Sequence, residues 1–333
     1  MQQMNYTAQL PIVVIVGPTA GGKTDLSLRL AHDLPLPVDS GRDATISGEI
    51  VSADSMQVYR GMDIGTAKPT VAERGNVPHH LIDCVDPTEP FTVHDWVRQA
   101  EVTIARLREQ QRWPIVVGGT NLYVKALLEG MFEGPQPDPV LRAELDDLSN
   151  DQLHARLRQV DPAAGERIHR NDRKRMVRAI EVHAQTGQPI TELQQQWGDQ
   201  GRMRPDAVLI GLDWPTEQIN QRINARVRKM VEDGLFEEVR ALQDGGLLGQ
   251  QASEALGYKQ VLAHLAGHCT LEEAIERIKI ETRRFARKQR TWLKRFRVLT
   301  PSLWLPASDL SPSELAGQAV QFAVENLQER ASG

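Results

Sequence analysis

The stretch "GPTAGGKT", Gly17 to Thr24, follows the apolar run "PIVVIV" and opens "KTDLSLRLAHDL", where Leu26, Leu30 and Leu34 recur at helical spacing. Strand, glycine-rich loop and helix, in that order, form the setting in which G-x-x-x-x-G-K-[ST] binds phosphate. Backbone N–H groups of such a loop converge on phosphate oxygens, and the start of the helix adds positive potential. Gly17, Pro18, Thr19, Ala20, Gly21, Gly22, Lys23 and Thr24 are therefore the expected diphosphate or nucleotide site. Lys23 supplies a point charge, and Thr24 a hydroxyl for Mg²⁺. The motif is specific for phosphate, not for which phosphate compound.

Downstream, "VSADSMQVYRGMDIGTAKPT" starts apolar, breaks at Ala53 and places an acid at once, Asp54. Ligands of parallel sheets bind beyond the carboxyl ends of the strands, so Asp54 should share a crevice with the phosphate loop. There it can hold Mg²⁺ through water, accept a proton from a nucleophile, or merely close an Asx turn. "VVGGT", Val116 to Thr120, ends another strand with two glycines and a hydroxyl where a nucleotide hydrolase would carry an acid; Asp83 in "LIDCVDP" is the available substitute. The glycines allow close backbone approach, and Thr120 could donate to a substrate. Arg222 and Arg226, at i and i+4 of one helix, could reach back to a pyrophosphate.

These residues need a frame. With 333 residues, 40% hydrophobic and 25% charged, the chain suits one large globular domain or two ordinary ones. "QLPIVVIVG" reads as a buried parallel strand, "GEIVSAD" and "WPIVVGGT" as two more, and "TVHDWVRQAEVTIARLREQQ" as an amphipathic helix that Thr92 can cap. The alternation predicts an α/β fold, a P-loop parallel-sheet core with helices on both faces. After Gly134, "PQPDP" reads as a hinge, and four helical stretches follow with no convincing strand; Met176 and Ile180 of one would face inward. A strand returns at "DAVLIGLDW". The expected organisation is a core of residues 1–134 and 206–333, ending in basic helices, with an inserted all-helical domain at 135–205. Pro35–Gly48 reads as a surface loop or disordered insert, and "LQDGGLLGQQASEALGYKQ" as a mobile segment near the site. Beyond Pro301 the sequence is uninformative.

Net charge is -5, which argues against nucleic acid as a partner of the whole surface, yet the charge is uneven. "RRFARKQRTWLKRFR", Arg283 to Arg297, holds eight Lys or Arg and no acid, and "RIHRNDRKRMVR", Arg167 to Arg178, is a second basic cluster. Local patches matter more to a polyanion than the global sum. Phe285, Trp292 and Phe296 fall on one helical stripe and are expected in the core, leaving the cations for phosphates. Cys84 and Cys269 make no disulfide framework, and the nine His show no metal-ligand spacing, so no zinc is expected. "PIVVIV" is too short to span a bilayer, and the first ten residues lack a basic head and apolar core. No membrane partner is expected, and the cytoplasm is the expected compartment. A monomer is the working expectation, although nothing in the sequence reports oligomeric state.

In order along the chain, "GPTAGGKT", "SADSMQVYRGMDIGTAKP", "PHHLIDCVDPTEPFTV", "VVGGTNLYVKALLEG", "RIHRNDRKRMVRAIEV", "ALGYKQ" and "TRRFARKQRTWLKRF" resemble the tRNA dimethylallyltransferase family, the bacterial tRNA isopentenyltransferases. The resemblance implies transfer of a dimethylallyl group from dimethylallyl diphosphate to N6 of adenosine 37, beside the anticodon, in tRNAs that read codons beginning with U. It implies an α/β core whose helical insertion grips the anticodon stem-loop. By the same resemblance, Mg²⁺, Lys23, Thr24 and Arg226 neutralise the leaving diphosphate, Asp54 is the general base, and Thr120 helps to place the nucleophile. The adenine must leave its stack to reach such a site. Asp54, Ser55, Met56, Gln57, Arg142, Asn171, Asp172, Arg173, Lys174 and Arg175 match the family's tRNA-contacting stretches. The basic helix adds Arg287 and Lys288 as expected RNA contacts, and Thr120 belongs to the same surface. Gly21 stands where many relatives carry serine, which removes a hydroxyl but should leave the backbone cradle intact.

Two other functions compete. A small-molecule P-loop kinase would hold ATP at the loop and use Asp54 to activate a hydroxyl, but it leaves both basic clusters unexplained. A non-catalytic RNA-binding protein that senses nucleotide explains the clusters but not an acid beside the loop.

Overall fold

The computed structural model describes residues 9–36, 46–131, 134–198, 203–299 and 301–332. Residues 37–45, the middle of the expected insert, lie outside them. The β-branched run Ile12–Val16 forms β1, and every residue of it is buried. A strand with no polar alternation belongs in a sheet covered on both faces. It is joined by β2 (Gly48–Ser52), β3 (His79–His80), β4 (Trp113–Val117), β5 (Ala207–Asp213) and β6 (Ser302–Pro306). The sheet order is β3-β2-β4-β1-β5-β6, parallel throughout. Val14 of β1 lies opposite Val116 of β4 and Leu209 of β5, so β1 sits inside the sheet between two long strands.

Parallel pairing requires crossover connections, and helices supply them. These are α1 (Lys23–Asp33), the short α2 (Val71–Arg74), α3 (Val93–Glu109) and α4 (Asn121–Glu129). Thr92 caps α3 in a reciprocal box with Asp95, as its spacing suggested. Successive residues of a strand face opposite sides. Ile12, Val14 and Val16 therefore join Val51, Val116 and Leu209 in one core, while Val13 and Ile15 join Ile50, Ile115 and Ile210 in the other. Trp96 of α3 is fully buried, stacks on Tyr123 of α4 at 4.9 Å, and donates its indole N–H to Ser52 O at 2.7 Å. That bond pins the end of β2 two residues before Asp54. Losing a side chain so placed typically costs about 3–5 kcal/mol.

The chain divides into two compact units, Met1–Leu128 with Arg202–Gly333, and Glu129–Gly201. The second unit is helical: α5 (Pro139–Asp146), α6 (Asn150–Val160), α7 (Pro162–Arg167), α8 (Arg173–Thr186) and α9 (Ile190–Gly198). Leu145, Leu153, Leu157, Met176 and Ile180 form its core. The proline-rich tract is fastened to this unit. Asp138 caps α5, its N–H donates to Glu181 at 2.9 Å, and Arg178 donates to Pro135 O at 2.8 Å.

The larger unit continues through α10 (Thr216–Glu232), α11 (Leu235–Asp244), α12 (Gln250–Ser253), α13 (Tyr258–Leu265), α14 (Leu271–Phe296) and α15 (Pro312–Ser332). The glycine-rich tract, expected as a mobile segment near the site, runs from the end of α11 through α12 to the start of α13. A Cβ on Gly249 would come within 2.7 Å of Thr88 O, and buried Tyr258 donates its hydroxyl to Glu238. That carboxylate also accepts the N–H groups of Asp63, Ile64 and Gly65, at 2.7–3.0 Å. The segment after Pro301, silent in sequence, supplies edge strand β6 and the alanine-rich stripe Ala316, Ala319, Ala323 and Leu327 of α15. Among the described residues, no helix is long and apolar enough to cross a membrane.

Candidate active site

The carboxyl ends of β2, β4 and β1 lie side by side, and each runs into one of the three motifs. Above them is a cleft of about 460 Å³, lined by Thr19 to Thr24, Asp54, Gln57, Gly118, Gly119, Arg226, Phe285 and Gln289 among others. A Cβ on Gly118 would lie 2.1 Å from Ala53 O, so the ends of β2 and β4 can approach only because that residue is glycine.

The phosphate loop is held by its neighbours. Lys23 Nζ donates to Gly17 O and Pro18 O at 3.0 and 2.9 Å. Arg222 donates to Ala20 O at 2.7 Å while lying over the Trp214 ring, and Trp214 donates to Gly21 O at 3.0 Å. Gln289 of α14 accepts the Thr19 N–H at 2.8 Å. Of the two arginines on α10, Arg226 lines the cleft and reaches Thr19 Oγ1 at 3.3 Å, while Arg222 braces the loop's carbonyl side. Gly21 keeps its part of the cradle, donating to Pro18 O at 3.1 Å. A Cβ there would lie 2.8 Å from that oxygen, so this loop is packed for glycine.

Asp54 performs the local turn that its position allowed and still faces the cleft. Its Oδ1 accepts the N–H groups of Met56 at 2.9 Å and Gln57 at 3.3 Å. This leaves Oδ2, on the side of Gly119, to accept a proton; a Cβ on Gly119 would be 3.9 Å from it. Thr120 lies behind the turn. It accepts the Ser55 N–H at 2.9 Å and donates to Ser55 Oγ at 3.2 Å. Gln57 is occupied too, accepting from Ser52 Oγ and donating to Thr66 O and Ala67 O.

Two cations, Lys23 and Arg226, stand close together beside the loop, while Asp25, Asp54 and Glu73 also line the cleft. Burial pushes the Lys23 ammonium down to about 8; Arg226 adds to the fall and Asp54 opposes it. Burial lowers Arg226 as well, again opposed by Asp54, although a guanidinium stays protonated. Two crowded cations beside loop N–H groups suit a multiply charged anion.

Two expectations, for Asp83 and Phe285, meet a different arrangement. Asp83 is not an acid of the cleft: it stands at φ 54° and pairs with Lys68 and Arg74. Phe285, expected in the core, is 42% exposed and lines the cleft. The buried stripe of α14 is instead Ala286, Gln289, Leu293 and Phe296, with Trp292 packed partly against it. In the helical unit, Arg142 grips Glu181 at 2.8 and 3.0 Å, with its own side chain 42% exposed. Arg173 spends its guanidinium on Leu145 O, Asp146 O and Leu148 O, where it closes the end of α5. Asp172 caps α8 and pairs with Arg175 at 3.3 Å, Asn171 donates its N–H to His169, and Lys174 is exposed. On α14, Arg287 and Lys288 are exposed and pair with no acid among the described residues. Gln289, inside the basic run, is not among the residues expected at the site. Its signal was a neutral residue among cations, one turn from Phe285 and on the inward side of the helix.

Residues 57–296 match the family model described as IPP transferase. The chain is 47% identical over 290 residues to the tRNA dimethylallyltransferase of Anaeromyxobacter dehalogenans, covering 86% of this chain and 90% of the relative. It is also similar to the solved full-length tRNA isopentenylpyrophosphate transferase of Bacillus halodurans, with a TM-score of 0.69 and 38% identity over 97% of this chain and 98% of that one. A eukaryotic dimethylallyltransferase solved while acting on tRNA matches with a TM-score of 0.78 and 26% identity, covering 93% of this chain and 78% of that one.

Proposed function

The chain belongs to the IPP transferase family, and from that premise we propose that it moves a dimethylallyl group from dimethylallyl diphosphate to N6 of adenosine 37 in tRNAs reading codons that begin with U. The observation that carries this reading is one shared cleft. The phosphate loop, the free oxygen of Asp54 and the basic helix α14 all line it.

The chemistry follows from those positions. The N6 lone pair attacks C1 of the allylic chain, and the C1–O bond to diphosphate breaks with its electrons on the departing oxygen. The N6 proton passes to Asp54 Oδ2, which the turn at Oδ1 leaves unblocked. General base assistance of this kind is worth about 10²–10⁴-fold. Lys23, Arg226 and the loop N–H groups take up the charge of the diphosphate. Phe285, exposed at the cleft, offers the extruded adenine a ring to stack on, worth about 1–3 kcal/mol per base. Arg287 and Lys288 on the same helix suit the backbone phosphates of the stem-loop. Arg142 and Lys174 suit them in the helical unit.

Mg²⁺ fits this arrangement. Among the described residues no group of three or more His, Cys, Asp or Glu could cage a metal. Mg²⁺ needs no such cage, because it keeps several waters and binds through few protein oxygens plus substrate phosphates. Thr24, exposed at the start of α1 and lining the cleft, would hold it. When bound it supplies charge neutralisation on the leaving group. We place the reaction in the cytoplasm, with the chain acting as a monomer.

Family membership speaks against the kinase, which also leaves the cations of α14 without a role. The deciding assay combines the purified chain, Mg²⁺, labelled dimethylallyl diphosphate and unmodified tRNA, without ATP. Label on the tRNA is expected. No label, with phosphate transfer once ATP is supplied, would contradict the reading.

A further inference from the structure

Gln289 is 2% exposed, yet its neighbours in sequence are the cations Lys288 and Arg290. A buried side-chain amide is costly unless both its halves find partners. Gln289 finds them on two loops far apart in sequence. Its Oε1 accepts the Thr19 N–H at 2.8 Å, and its Nε2 donates to Gly119 O at 2.9 Å. The fit is close, since a Cβ on Gly119 would fall 2.8 Å from Nε2. Thr19 in turn offers the hydroxyl that Arg226 reaches at 3.3 Å. Gly119 precedes Thr120, which holds the Asp54–Ser55 turn. One side chain thus joins the loop for the diphosphate to the turn beside the proton acceptor.

We propose that Gln289 is a positioning residue for the transfer, an inference that rests on the prenyl-transfer reading above. Its amide sets the separation between the diphosphate loop and the Gly119–Thr120 turn. Adenine nitrogen, donor carbon and departing diphosphate oxygen then meet in line, with Asp54 Oδ2 placed beside the nitrogen to take its proton. An apolar residue of the same length would fill the space but leave Thr19 N and Gly119 O unbridged. A carboxylate would still accept from Thr19 N, but it could not donate to Gly119 O. It would also bring a negative charge toward the diphosphate. Only the amide satisfies both ends.

The test compares wild type, Gln289→Met and Gln289→Glu in steady-state transfer from dimethylallyl diphosphate to an anticodon stem-loop RNA. Thermal midpoints and titrations with inorganic pyrophosphate accompany the kinetics. Misplacing reactants by about 1 Å can cost about 10²-fold, so Gln289→Met should lower kcat by about 10–100-fold. KM for both substrates and the affinity for pyrophosphate should stay within about threefold, with the thermal midpoint little changed. Gln289→Glu should lose at least as much. Full kcat in Gln289→Met would overturn the inference. So would a loss that only tracks unfolding, or one confined to KM and pyrophosphate affinity. A wild-type chain that transfers nothing would refute the prenyl-transfer reading itself, a different outcome from an active wild type with an unimpaired variant.

Discussion

The backbone N–H of Ser55 donates to the hydroxyl of Thr120 at 2.9 Å, so the turn bearing Asp54 hangs from the end of the neighbouring strand. Thr120 N in turn donates to Ala53 O at 3.1 Å, which closes the junction from the other side. Asp54 therefore takes its place from β4 as much as from its own strand. Thr120 acts on it through Ser55, and the cleft is shaped by this pair of strand ends.

Thr120→Val keeps the shape of the side chain and removes the hydroxyl. Ser55 N then lacks its partner, at a cost of about 1–3 kcal/mol, and the Asp54 turn loosens. We expect kcat to fall by about tenfold or more with KM for the diphosphate donor unchanged, and Thr120→Ser to restore it. Equal kcat in Thr120→Val and wild type would show that the turn holds without this bond.

Lys23 gives binding a pH dependence. A bound diphosphate favours the protonated ammonium, whose pKa in the free site is about 8. Above that pH binding must take up a proton, and affinity should fall by up to about tenfold per unit. Titration with inorganic pyrophosphate between about pH 7 and pH 9.5 should show this extra slope in wild type and not in Lys23→Met. Parallel profiles for the two proteins would contradict it. The same shift makes Lys23 a cost to stability below about pH 8, a cost that fades as pH rises toward the ordinary 10.5.

The exposed pair on α14 should report RNA phosphates. Arg287→Ala with Lys288→Ala should weaken tRNA binding and reduce the slope of log affinity against log salt by about 1–2. An unchanged slope would return this face of the helix to solvated surface.

Glu181 is a stability site rather than a catalytic one. Its side chain is 0% exposed. Burial would raise its pKa, but hydrogen bonds from Arg142, Arg178 and the Asp138 N–H outweigh that and hold it below 4.5. Its contribution is present above about pH 4.5 and is lost as pH falls through the lowered value. Glu181→Ala should destabilise the chain by about 3 kcal/mol in denaturant unfolding at neutral pH, the lower end for a broken buried pair because Arg142 keeps contact with water. A change below about 1 kcal/mol, typical of a surface pair, would contradict this.

What the sequence revealed and concealed follows from the reach of each signal. β1 and the phosphate loop are local: a β-branched run and a fixed glycine spacing announce them within a few residues. Asp54 was legible because an acid directly after an apolar run marks a strand end. Gln289 was not, because its partners Thr19 and Gly119 lie 270 and 170 residues away. Phe285 was misplaced because its ring starts from the same helical stripe as Phe296, yet α14 turns Ala286 inward instead. β3 escaped notice because two histidines carry no strand pattern; His80 is fixed by Glu49 at 2.7 Å. For Arg173, an expected RNA contact, the three carbonyls that its guanidinium reaches are brought to it only by the fold.

The role of Asp54 is tested most directly by single-turnover prenyl transfer in Asp54→Asn, measured beside the affinity of the same variant for tRNA. The asparagine keeps an oxygen for the Met56 and Gln57 N–H groups but cannot take the N6 proton. Transfer should fall by about 10²–10⁴-fold while tRNA affinity is largely kept. Transfer at the wild-type rate, or intact chemistry with lost tRNA binding, would show that Asp54 is not the base.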